Sequence, residues 1–529
     1  MSPLQSLLGH FMMTPKDSIP EFYNGQTVFI TGATGFMGKV LMEKLLRSCP
    51  GIRRIYILIR PKRGKNIYER LEGLLQCPLY ERVKNECPNF KNKVMPILGD
   101  ILQEDMGISQ SDIQLLVDET TVVFHSAATV KFNEELKLSI DLNVLGCQKI
   151  LNLCKKMRKL QALVHISTAY ANCHLDEIDE KIYDPPLDPH QLISATKWMD
   201  SEMFSLLTAK LVGCRPNTYT YTKAIAESLF MEDCGVLPIA IVRPSIVGAT
   251  WKEPVAGWVD NFNGPSGLYS AIGHGLLRVM KGDRHAIADL IPCDIAVKAI
   301  IAVAWHTAVE KTSELKIYNC TSGHENKCTW GFLEKISAET MRKFPLNRLI
   351  RVPQLKFTKS SVWYYVNLVL DHTMPAYFRD SLMWITGRKP MFVKINNRIH
   401  NSAASLEYFT SNSWHFCNDN LYHLLDKLSS DDRENFNFDP SSFEWPKFAE
   451  VYALGTKQYL HKEELSDLPQ ARAALKRLQR VNFMANILII IVVWRLLINR
   501  VAVARSVWQF LIGWVLKILQ KIPGIAKSS

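Results

Sequence analysis

Six short apolar runs, separated by helix-like segments, constrain the fold of this chain more than any other feature of its sequence. The runs are 27–31, 55–60, 94–100, 121–127, 162–168 and 238–245. Strands that are apolar along their whole length are typical of parallel sheets buried on both faces, and the helical segments between them provide the crossovers that parallel strands need. The pattern therefore predicts an α/β protein with a doubly wound parallel sheet.

A glycine-rich turn, "GATGFMG", joins the first run to the first helical segment. Its glycines, Gly32, Gly35 and Gly38, are spaced G-x-x-G-x-x-G. Glycines let the backbone turn sharply and approach a pyrophosphate, which then faces the N-terminus of the following helix. Such a turn can be merely structural, but the strand before it and the helix after it favour dinucleotide binding. Thr34 and Phe36 lie inside the turn and are further candidate cofactor-binding residues.

The residues that follow the second run favour NADPH over NADH. A site for NAD uses a carboxylate to bind the ribose 2′-hydroxyl, whereas a 2′-phosphate needs a cation. Arg60, Lys62 and Arg63 follow this run and no acid lies near them in the sequence, although an ordinary basic loop is the alternative. Further candidates for cofactor contact follow the third and fourth runs: Asp100 (for the adenine amino group), Ile101, Ala127 and Ala128.

The stretch "NTYTYTKAIAE", residues 217–227, contains the candidate proton donor. Tyr219 is four residues before Lys223, whereas Tyr221 is only two before it. On a helix, residues four apart share a face, so Tyr219 is the predicted partner and Tyr221 a packing residue. A free tyrosine has a pKa of about 10, and a nearby ammonium should lower it. Lys223 is expected to do so and also to hold the nicotinamide ribose.

A pair of hydroxyl side chains, Ser167 and Thr168, ends the fifth run. Ligands of doubly wound sheets bind at the carboxyl ends of the strands. One of these hydroxyls is therefore expected to hydrogen-bond the substrate carbonyl, with Ser167 preferred and Thr168 as the alternative. Taken alone, the pair would indicate only a cap or a turn.

The length of 529 residues predicts more than one domain. We expect an N-terminal tail at 1–24, followed by a Rossmann domain with a substrate lobe at 25–349. A mostly helical domain, rich in aromatic residues, is expected at 350–465. The final segment, 470–529, is predicted to attach the protein to a membrane.

Charge and cysteine content exclude several other classes of protein. The net charge is +12, but no long basic run occurs in the body of the chain, which disfavours nucleic acid as a partner. The 12 cysteines show no C-x-x-C and no cysteine/histidine grouping with zinc spacing. No metal site is predicted, and the cysteines are expected to be reduced thiols in a cytosol-facing protein.

The most hydrophobic segment is "FMANILIIIVVWRLLI", residues 483–498. Extended to 481–500, it is just long enough to span a bilayer. Basic residues precede it at Lys476, Arg477 and Arg480, which would keep the catalytic domain cytosolic. Residues 505–522 suit an amphipathic helix in the membrane interface. A monotopic anchor and a buried helix pair in a soluble protein are the alternatives.

Several motifs together resemble the fatty acyl-CoA reductases, a branch of the extended short-chain dehydrogenase/reductase superfamily. They are "TGATGFMG", "HSAATVKF", "LNVLG", "HISTAYAN", "YTYTKAIAE", "IVRPSIVGA" and "GPSGL". The similarity continues through "WHFCNDN", "FNFDPSSFEW" and "YALGTKQYL" and thus covers most of residues 20–465. The overall pattern is nearest to the insect members.

The resemblance implies NADPH-dependent reduction of a long-chain fatty acyl-CoA to a primary alcohol, with release of CoA. It places the hydroxyl at Ser167 or Thr168, the acid at Tyr219 and the lysine at Lys223. The expected partners are acyl-CoA and membrane lipid; the expected membrane is the endoplasmic reticulum, with the peroxisome or lipid droplet as alternatives. Two rival functions remain: a membrane-bound sterol or lipid-alcohol dehydrogenase, and a catalytically silent nucleotide-binding scaffold.

The acyl chain should need a long apolar channel. Candidate lining residues, which are equally compatible with an ordinary core, are Trp251, Trp258, Phe262, Leu268 and Tyr269.

Overall fold

The structure is a computed structural model that describes residues 18–62, 64–311, 314–500 and 502–519. At 497, 499, 502–504 and 515–519 only the backbone is described. Arg63, residues 1–17 of the expected tail and the end of the expected amphipathic segment therefore lie outside the described residues or side chains.

The described residues form thirteen strands, of which seven make one parallel sheet. The strands are β1 Thr27–Thr31, β2 Arg54–Ile59, β3 Val94–Leu98, β4 Val122–His125, β5 Ala162–Ile166, β6 Glu177–Ile178, β7 Ile239–Pro244, β8 Ile246–Gly248, β9 Met280–Lys281, β10 Leu290–Pro292, β11 Lys316–Cys320, β12 Phe357–Thr358 and β13 His415–Phe416. The order in the large sheet is β3-β2-β1-β4-β5-β7-β11. All six apolar runs are strands of this sheet, so the predicted fold class is confirmed.

The sheet is covered on both faces by helices. The helices are α1 Ile19–Phe22, α2 Phe36–Ser48, α3 Ile67–Leu75, α4 Glu81–Glu86, α5 Gln110–Glu119, α6 Leu136–Ile140, α7 Gly146–Cys154, α8 Pro189–Trp198, α9 Ser201–Val212, α10 Thr218–Asp233, α11 Pro265–Gly273, α12 Cys293–Glu310, α13 Trp330–Lys343, α14 Ser361–Asn367, α15 Met374–Ile385, α16 Phe392–Ala404, α17 Glu407–Ser411, α18 Asp419–Asp426, α19 Ser430–Asn435, α20 Trp445–Gly455, α21 Leu468–Arg500 and α22 Ala502–Leu519. Alternate residues of β1 belong to different cores, Val28 and Ile30 to the one with α2 and α12, and Phe29 to the one with α7 and α10. Burial on both faces explains the continuous apolar runs.

Strand β11 was not expected from the sequence. It forms one edge of the sheet and pairs only with β7 among the described strands. Its sequence, "KIYNC", mixes polar and apolar residues and lacks the signature of the other strands.

Part of the predicted tail belongs to the folded body. Ser18 caps α1, Ile19 and Tyr23 are fully buried, and the Tyr23 hydroxyl donates to the carbonyl of Ile301, 3.1 Å away. Two apolar side chains at 19 and 23, four residues apart, are enough to dock this turn on α12.

The C-terminal helices α18 and α20 pack on the sheet domain, and α21 joins the folded body only through its first turns, where Ala471 and Leu475 are buried. Side chains of α18 and α20, including Leu421 and Phe448, belong to the main core. In contrast, Leu465–Leu496 is long and apolar enough to cross a membrane, and none of its most apolar part is buried. The α21 and α22 helices contact each other, with the rings of Trp494 and Trp508 5.8 Å apart.

Strand order reverses between β1 and β4. In doubly wound sheets, ligands bind in the crevice outside the carboxyl ends of the strands at this point. The turn after β1 and the residues after β4 therefore border the expected binding cleft.

Candidate active site

The glycine turn is a tight cradle at the mouth of the crevice. Gly32 has φ +77°, and a Cβ there would lie 2.8 Å from the backbone nitrogen of Ala127. A Cβ on Gly38 would lie 2.3 Å from the Gly32 carbonyl oxygen. Helix α2 begins at Phe36, and its N-cap, Gly35, supplies no side-chain hydrogen bond. Its first N–H groups are therefore suited to bind a pyrophosphate.

The other candidates in the turn are partly buried. The Phe36 ring stacks on Trp258 with centroids 5.3 Å apart, so it joins the cofactor turn to the substrate lobe. Thr34 is half-buried beside it.

The basic residues after β2 are exposed at the edge of the crevice. Strand β2 is the direct neighbour of β1, which brings Arg60 and Lys62 to the side of the glycine turn. The Arg60 carbonyl accepts a hydrogen bond from Arg70, but neither the Arg60 nor the Lys62 side chain has an ion pair within the described chain. Their charge is thus available to an anion.

The remaining cofactor candidates occupy different environments. The Asp100 carboxylate accepts from the Leu102 N–H at 3.2 Å. Ile101 is buried, and a Cβ on Gly146 would lie 2.6 Å from its Cγ2, so its side chain is part of the core. Ala127 and Ala128 are half-buried immediately after β4.

Helix α10 carries the predicted tyrosine and lysine. Its N-cap, Asn217, accepts from the N–H of Thr220 at 2.9 Å, which starts the helix just before Tyr219. The helix confirms the premise that Tyr219 and Lys223 share a face. Tyr221 is fully buried in a core cluster, as expected for a packing residue.

The Tyr219 hydroxyl lies next to Thr168. Burial raises the pKa of Tyr219 to about 12, and a hydrogen bond with the Thr168 side chain lowers it in part. Lys223 is not among the groups that shift this pKa, so the expectation that Lys223 lowers it stays a prediction. The phenol also stacks on Phe132, with ring centroids 5.8 Å apart.

The structure distinguishes the two adjacent hydroxyls. Thr168 Oγ1 accepts from the N–H of Tyr170 at 3.3 Å and also meets Tyr219. The Ser167 hydroxyl is buried without a hydrogen-bond partner among the described residues. Thr168 is thus the hydroxyl that interacts with Tyr219, and the role of either residue toward the substrate carbonyl stays a prediction.

Lys223 is buried, and its Nζ donates to the carbonyl of Ile166 at 2.7 Å. Burial lowers the pKa of Lys223. This bond ties α10 to the end of β5, next to the two hydroxyl residues.

Two histidines and a cysteine surround the lysine and were not singled out in the sequence. The ligand atoms of His125, Cys147 and His165 lie within 4.8 Å of one another. Burial and the charge of Lys223 lower the pKa of His125 to about 3, and burial raises the pKa of Cys147 to about 12. These groups are therefore neutral near Lys223. His125 lies in the motif "HSAATVKF" and His165 in "HISTAYAN". Both motifs carry the family resemblance, and this is the sequence signal by which the histidines could have been found.

Aromatic residues from the C-terminal helices form one wall of the site. Phe409, on α17, lies 5.2 Å from both Phe132 and Tyr170, measured between ring centroids. Trp414 packs edge-on against Tyr170, and its Nε1 donates to the Cys173 carbonyl at 2.9 Å. The C-terminal region thus packs next to the candidate tyrosine, Tyr219, through Phe132, a contact that no local pattern predicts.

An apolar cavity of about 60 Å³ lies near this wall. The Tyr170 hydroxyl donates to the Asp289 carbonyl at 3.4 Å, and the next residue, Leu290, lines the cavity. Of the five predicted channel residues, Leu268 and Tyr269 line it. Trp251, Trp258 and Phe262 do not line it.

Two family models match the chain, both described as "Male sterility protein". The first matches residues 30–300 and the second residues 371–463. The first range includes the glycine turn and the tyrosine–lysine pair.

Curated relatives match nearly the whole chain. "Fatty acyl-CoA reductase 1" of Xenopus laevis is 44% identical over 502 residues, covering 95% of this chain and 98% of that protein. The Homo sapiens protein of the same name is 42% identical with the same coverage. "Fatty acyl-CoA reductase 2" of Mus musculus is 44% identical over 501 residues, or 95% and 97% of the two chains.

Solved structures support the fold. The terminal R domain of the myxalamid PKS-NRPS pathway has a TM-score of 0.54 at 19% identity, covering 83% of this chain and 91% of that one. A reductase domain of a nonribosomal peptide synthetase from Mycobacterium tuberculosis has a TM-score of 0.54 at 17% identity, with coverage of 82% and 92%.

Proposed function

The chain belongs to the fatty acyl-CoA reductase family, and on that premise we propose that it reduces long-chain fatty acyl-CoA with NADPH and releases CoA. It is an oxidoreductase that converts fatty acyl-CoA to fatty alcohol. The overall reaction consumes one acyl thioester, two NADPH and two protons. It yields one primary alcohol, one CoA thiol and two NADP⁺. The observation that carries the assignment of residues is that the start of α10, with Tyr219, packs on the turn capped by Thr168 at the carboxyl end of β5.

The cradle around Gly32, Gly35 and Gly38 fits a dinucleotide pyrophosphate, because added side chains would fill the space that the phosphates need. Arg60 and Lys62 would bind the 2′-phosphate, and Lys223 the nicotinamide ribose. When bound, NADPH supplies the hydride to the substrate carbonyl.

Tyr219 and Thr168 would act on the carbonyl oxygen of the substrate. Both hydroxyls can donate to an oxyanion that develops there. Since the pKa of Tyr219 is about 12, its phenol keeps its proton at neutral pH and can transfer it to the aldehyde oxygen in the second reduction. The Lys223 ammonium donates to the carbonyl of Ile166, which fixes α10 against the end of β5 beside Thr168.

Single substitutions at the three hydroxyl residues test these roles. Tyr219→Phe should lower kcat with palmitoyl-CoA about 10²- to 10⁴-fold, and Thr168→Val about 10²- to 10³-fold. Ser167→Ala is the matched control and should retain activity within about threefold. Alcohol is measured by mass spectrometry, with NADPH oxidation and free thiol followed in parallel. A Tyr219→Phe enzyme with normal turnover would exclude the proposed acid.

The same assay separates the rival functions. A lipid-alcohol dehydrogenase would oxidise or reduce its substrate without releasing thiol, and a silent scaffold would consume no NADPH. Only thioester reduction releases CoA.

The cofactor preference has its own test. Arg60→Ala and Lys62→Ala should raise KM for NADPH by about tenfold while leaving KM for NADH nearly unchanged, because NADH lacks the 2′-phosphate. Equal effects on both cofactors would remove the proposed role.

We further propose that the acyl chain reaches the apolar cavity and that α21 anchors the protein in a membrane, with its catalytic domain in the cytosol. Ala449 lines the cavity, so Ala449→Leu should shift product formation toward shorter chains. A chain ended after residue 470 should be extracted from the membrane pellet by alkaline carbonate, whereas the full chain should stay in the pellet. Retention of the shortened chain after carbonate treatment would place the integral anchor elsewhere.

A further inference from the structure

A long helical segment outside the active site turns an apolar face to solvent. Helices α14 and α15 are joined by a wider helical turn, Leu368–Thr373, into one segment from 361 to 385. Seven of its apolar side chains are each 60% exposed or more: Val362, Trp363, Leu370, Tyr377, Phe378, Trp384 and Ile385. We call this surface the 361–385 face. Contiguous apolar surfaces of this kind usually mark an interaction site.

The opposite side of the same segment is held firmly to the protein. Tyr364, His372 and Ala376 are buried. Asp371 forms an ion pair with Arg278 at 2.9 Å. The exposed face is therefore presented by a docked helix with a defined orientation.

Positive charge borders the apolar face. Arg388 and Lys389 follow α15, and Lys394 lies on α16; all three are exposed and have no ion pair within the described chain. The nearby acid, Asp380, is occupied by the N–H groups at the start of α16, including that of Phe392 at 2.8 Å. Aromatic and aliphatic side chains beside unpaired cations are typical of helices that lie in a membrane interface with anionic lipids.

The charge argues against a second copy of this chain as the occupant. A two-fold contact would bring the cations of both copies into one interface, where the acids of the segment, Asp371 and Asp380, are already bonded within each copy. A lipid surface meets both requirements, because it accepts the apolar side chains and neutralises the cations.

The 361–385 face is connected to the reaction site through a short series of contacts. Tyr364 and Tyr365 pack around the Lys281 ammonium, at 5.6 and 5.7 Å from their ring centroids. The Lys281 carbonyl accepts from Thr410 Oγ1 at 2.7 Å. Thr410 follows Phe409 of the active-site wall. The strands beneath α14, β9 and β12, supply Met280 and Phe357 to the apolar cavity.

From these observations we propose that the 361–385 face inserts into the interface of a lipid membrane, as a second attachment separate from α21. Its apolar side chains lie about 5–10 Å deep, at the boundary of headgroups and acyl chains. The strands beneath α14, which line the apolar cavity, are thereby held beside the bilayer. The proposal concerns membrane contact only and does not depend on the reaction.

The test uses the full-length protein in vesicles of phosphatidylcholine and phosphatidylserine. An environment-sensitive dye is attached to single introduced thiols in a Cys214→Ser background, since Cys214 is the exposed native cysteine. The positions are Leu370→Cys and Trp384→Cys on the face, with Leu206→Cys, an exposed leucine of α9, as the matched control. The Cys214→Ser protein treated with the dye sets the baseline.

Lipids with a doxyl group on the acyl chain should quench dyes at 370 and 384 but not at 206. Quenching by aqueous iodide should be at least about threefold weaker at 370 and 384 than at 206. If dyes at 370 and 384 are as accessible to iodide as the dye at 206, the proposal is overturned. Protection from iodide without quenching by lipid would show that a protein covers the face, and this also overturns it.

A fourth label separates this proposal from the anchor. Ile489→Cys reports on α21. Lipid quenching at 489 but not at 370 or 384 would leave α21 as the attachment and refute the second one. Quenching at 370 and 384 without quenching at 489 would support the face and refute the anchor.

Discussion

A buried ion pair beneath the catalytic helix makes a quantitative test of the packing. Arg243, on β7, donates from Nε and Nη2 to the two carboxylate oxygens of Glu227 on α10, at 2.9 and 2.7 Å. Their side chains are 0% and 2% exposed. Arg243 also donates to the carbonyls of Asp179 and Lys181. One guanidinium therefore connects the sheet, the catalytic helix and the loop before α8.

Replacing the arginine should cost more than removing the whole pair. Arg243→Met keeps much of the side-chain volume but leaves a carboxylate buried without a partner, which costs about 3–5 kcal/mol. Asp179 and Lys181 are exposed, so water can replace their lost donors. With about 2.1 cal/mol/K per residue and roughly 450 folded residues, 4 kcal/mol lowers Tm by about 4 °C.

The double variant Arg243→Met/Glu227→Gln removes the uncompensated charge. It should recover about 2 kcal/mol, or about 2 °C, relative to Arg243→Met alone. Glu227→Gln alone should be destabilised to a similar extent as Arg243→Met, because it leaves the cation buried.

Thermal unfolding of the detergent-solubilised full-length protein, at one fixed scan rate, measures these differences. The exposed pair Arg82–Glu86, with both side chains 45% exposed, is the matched control. Arg82→Met should cost less than about 1 kcal/mol. If the double variant loses as much Tm as the two single variants combined, an unpaired buried charge is not the cause and the reasoning fails.

Three further predictions concern pH and packing. Burial raises the pKa of Glu180 from 4.5 to about 7. The protonated carboxyl therefore contributes stability that is fully present below pH 4.5 and is lost as the pH rises through 7. In Glu180→Gln, Tm should depend less on pH between 4.5 and 7. Burial raises the pKa of Glu253, but Lys44 and other cations outweigh burial and hold this pKa below 4.5. Glu253→Gln should lower the free energy of unfolding at pH 7 by about 3–5 kcal/mol, measured by thermal unfolding. The difference in stability between wild type and variant should shrink as the pH falls below 4.5. Gly38→Ala should weaken NADPH binding measured by fluorescence at least about tenfold, since its Cβ would lie 2.3 Å from a backbone oxygen, whereas Gly73→Ala, with nothing within 4 Å, should raise stability by about 0.5–1 kcal/mol. An unchanged Kd for Gly38→Ala would contradict the cradle.

The local sequence determined the sheet and the general position of the site. Runs such as 27–31 and 162–168 are apolar because their residues are buried on both faces, and this burial can be read from neighbours in the chain. The glycine spacing and the four-residue separation of Tyr219 from Lys223 are likewise local. Strand β11 was missed because its short mixed sequence lacks a local signature.

Only the tertiary structure decided which groups meet and how they are solvated. Thr168 rather than Ser167 lies next to Tyr219, although the two hydroxyls are adjacent in sequence. Burial raises the pKa of Tyr219, and part of its surroundings comes from a distant segment, since Phe132 stacks both on Tyr219 and on Phe409. The sequence predicted an aromatic-rich helical domain at 350–465, and only the structure shows that Trp384 is exposed. The periodicity of a sequence reflects the environment of residues that are close together in the chain. The burial of a side chain and the charges around it are set by segments that are distant in the chain and meet only in the folded protein.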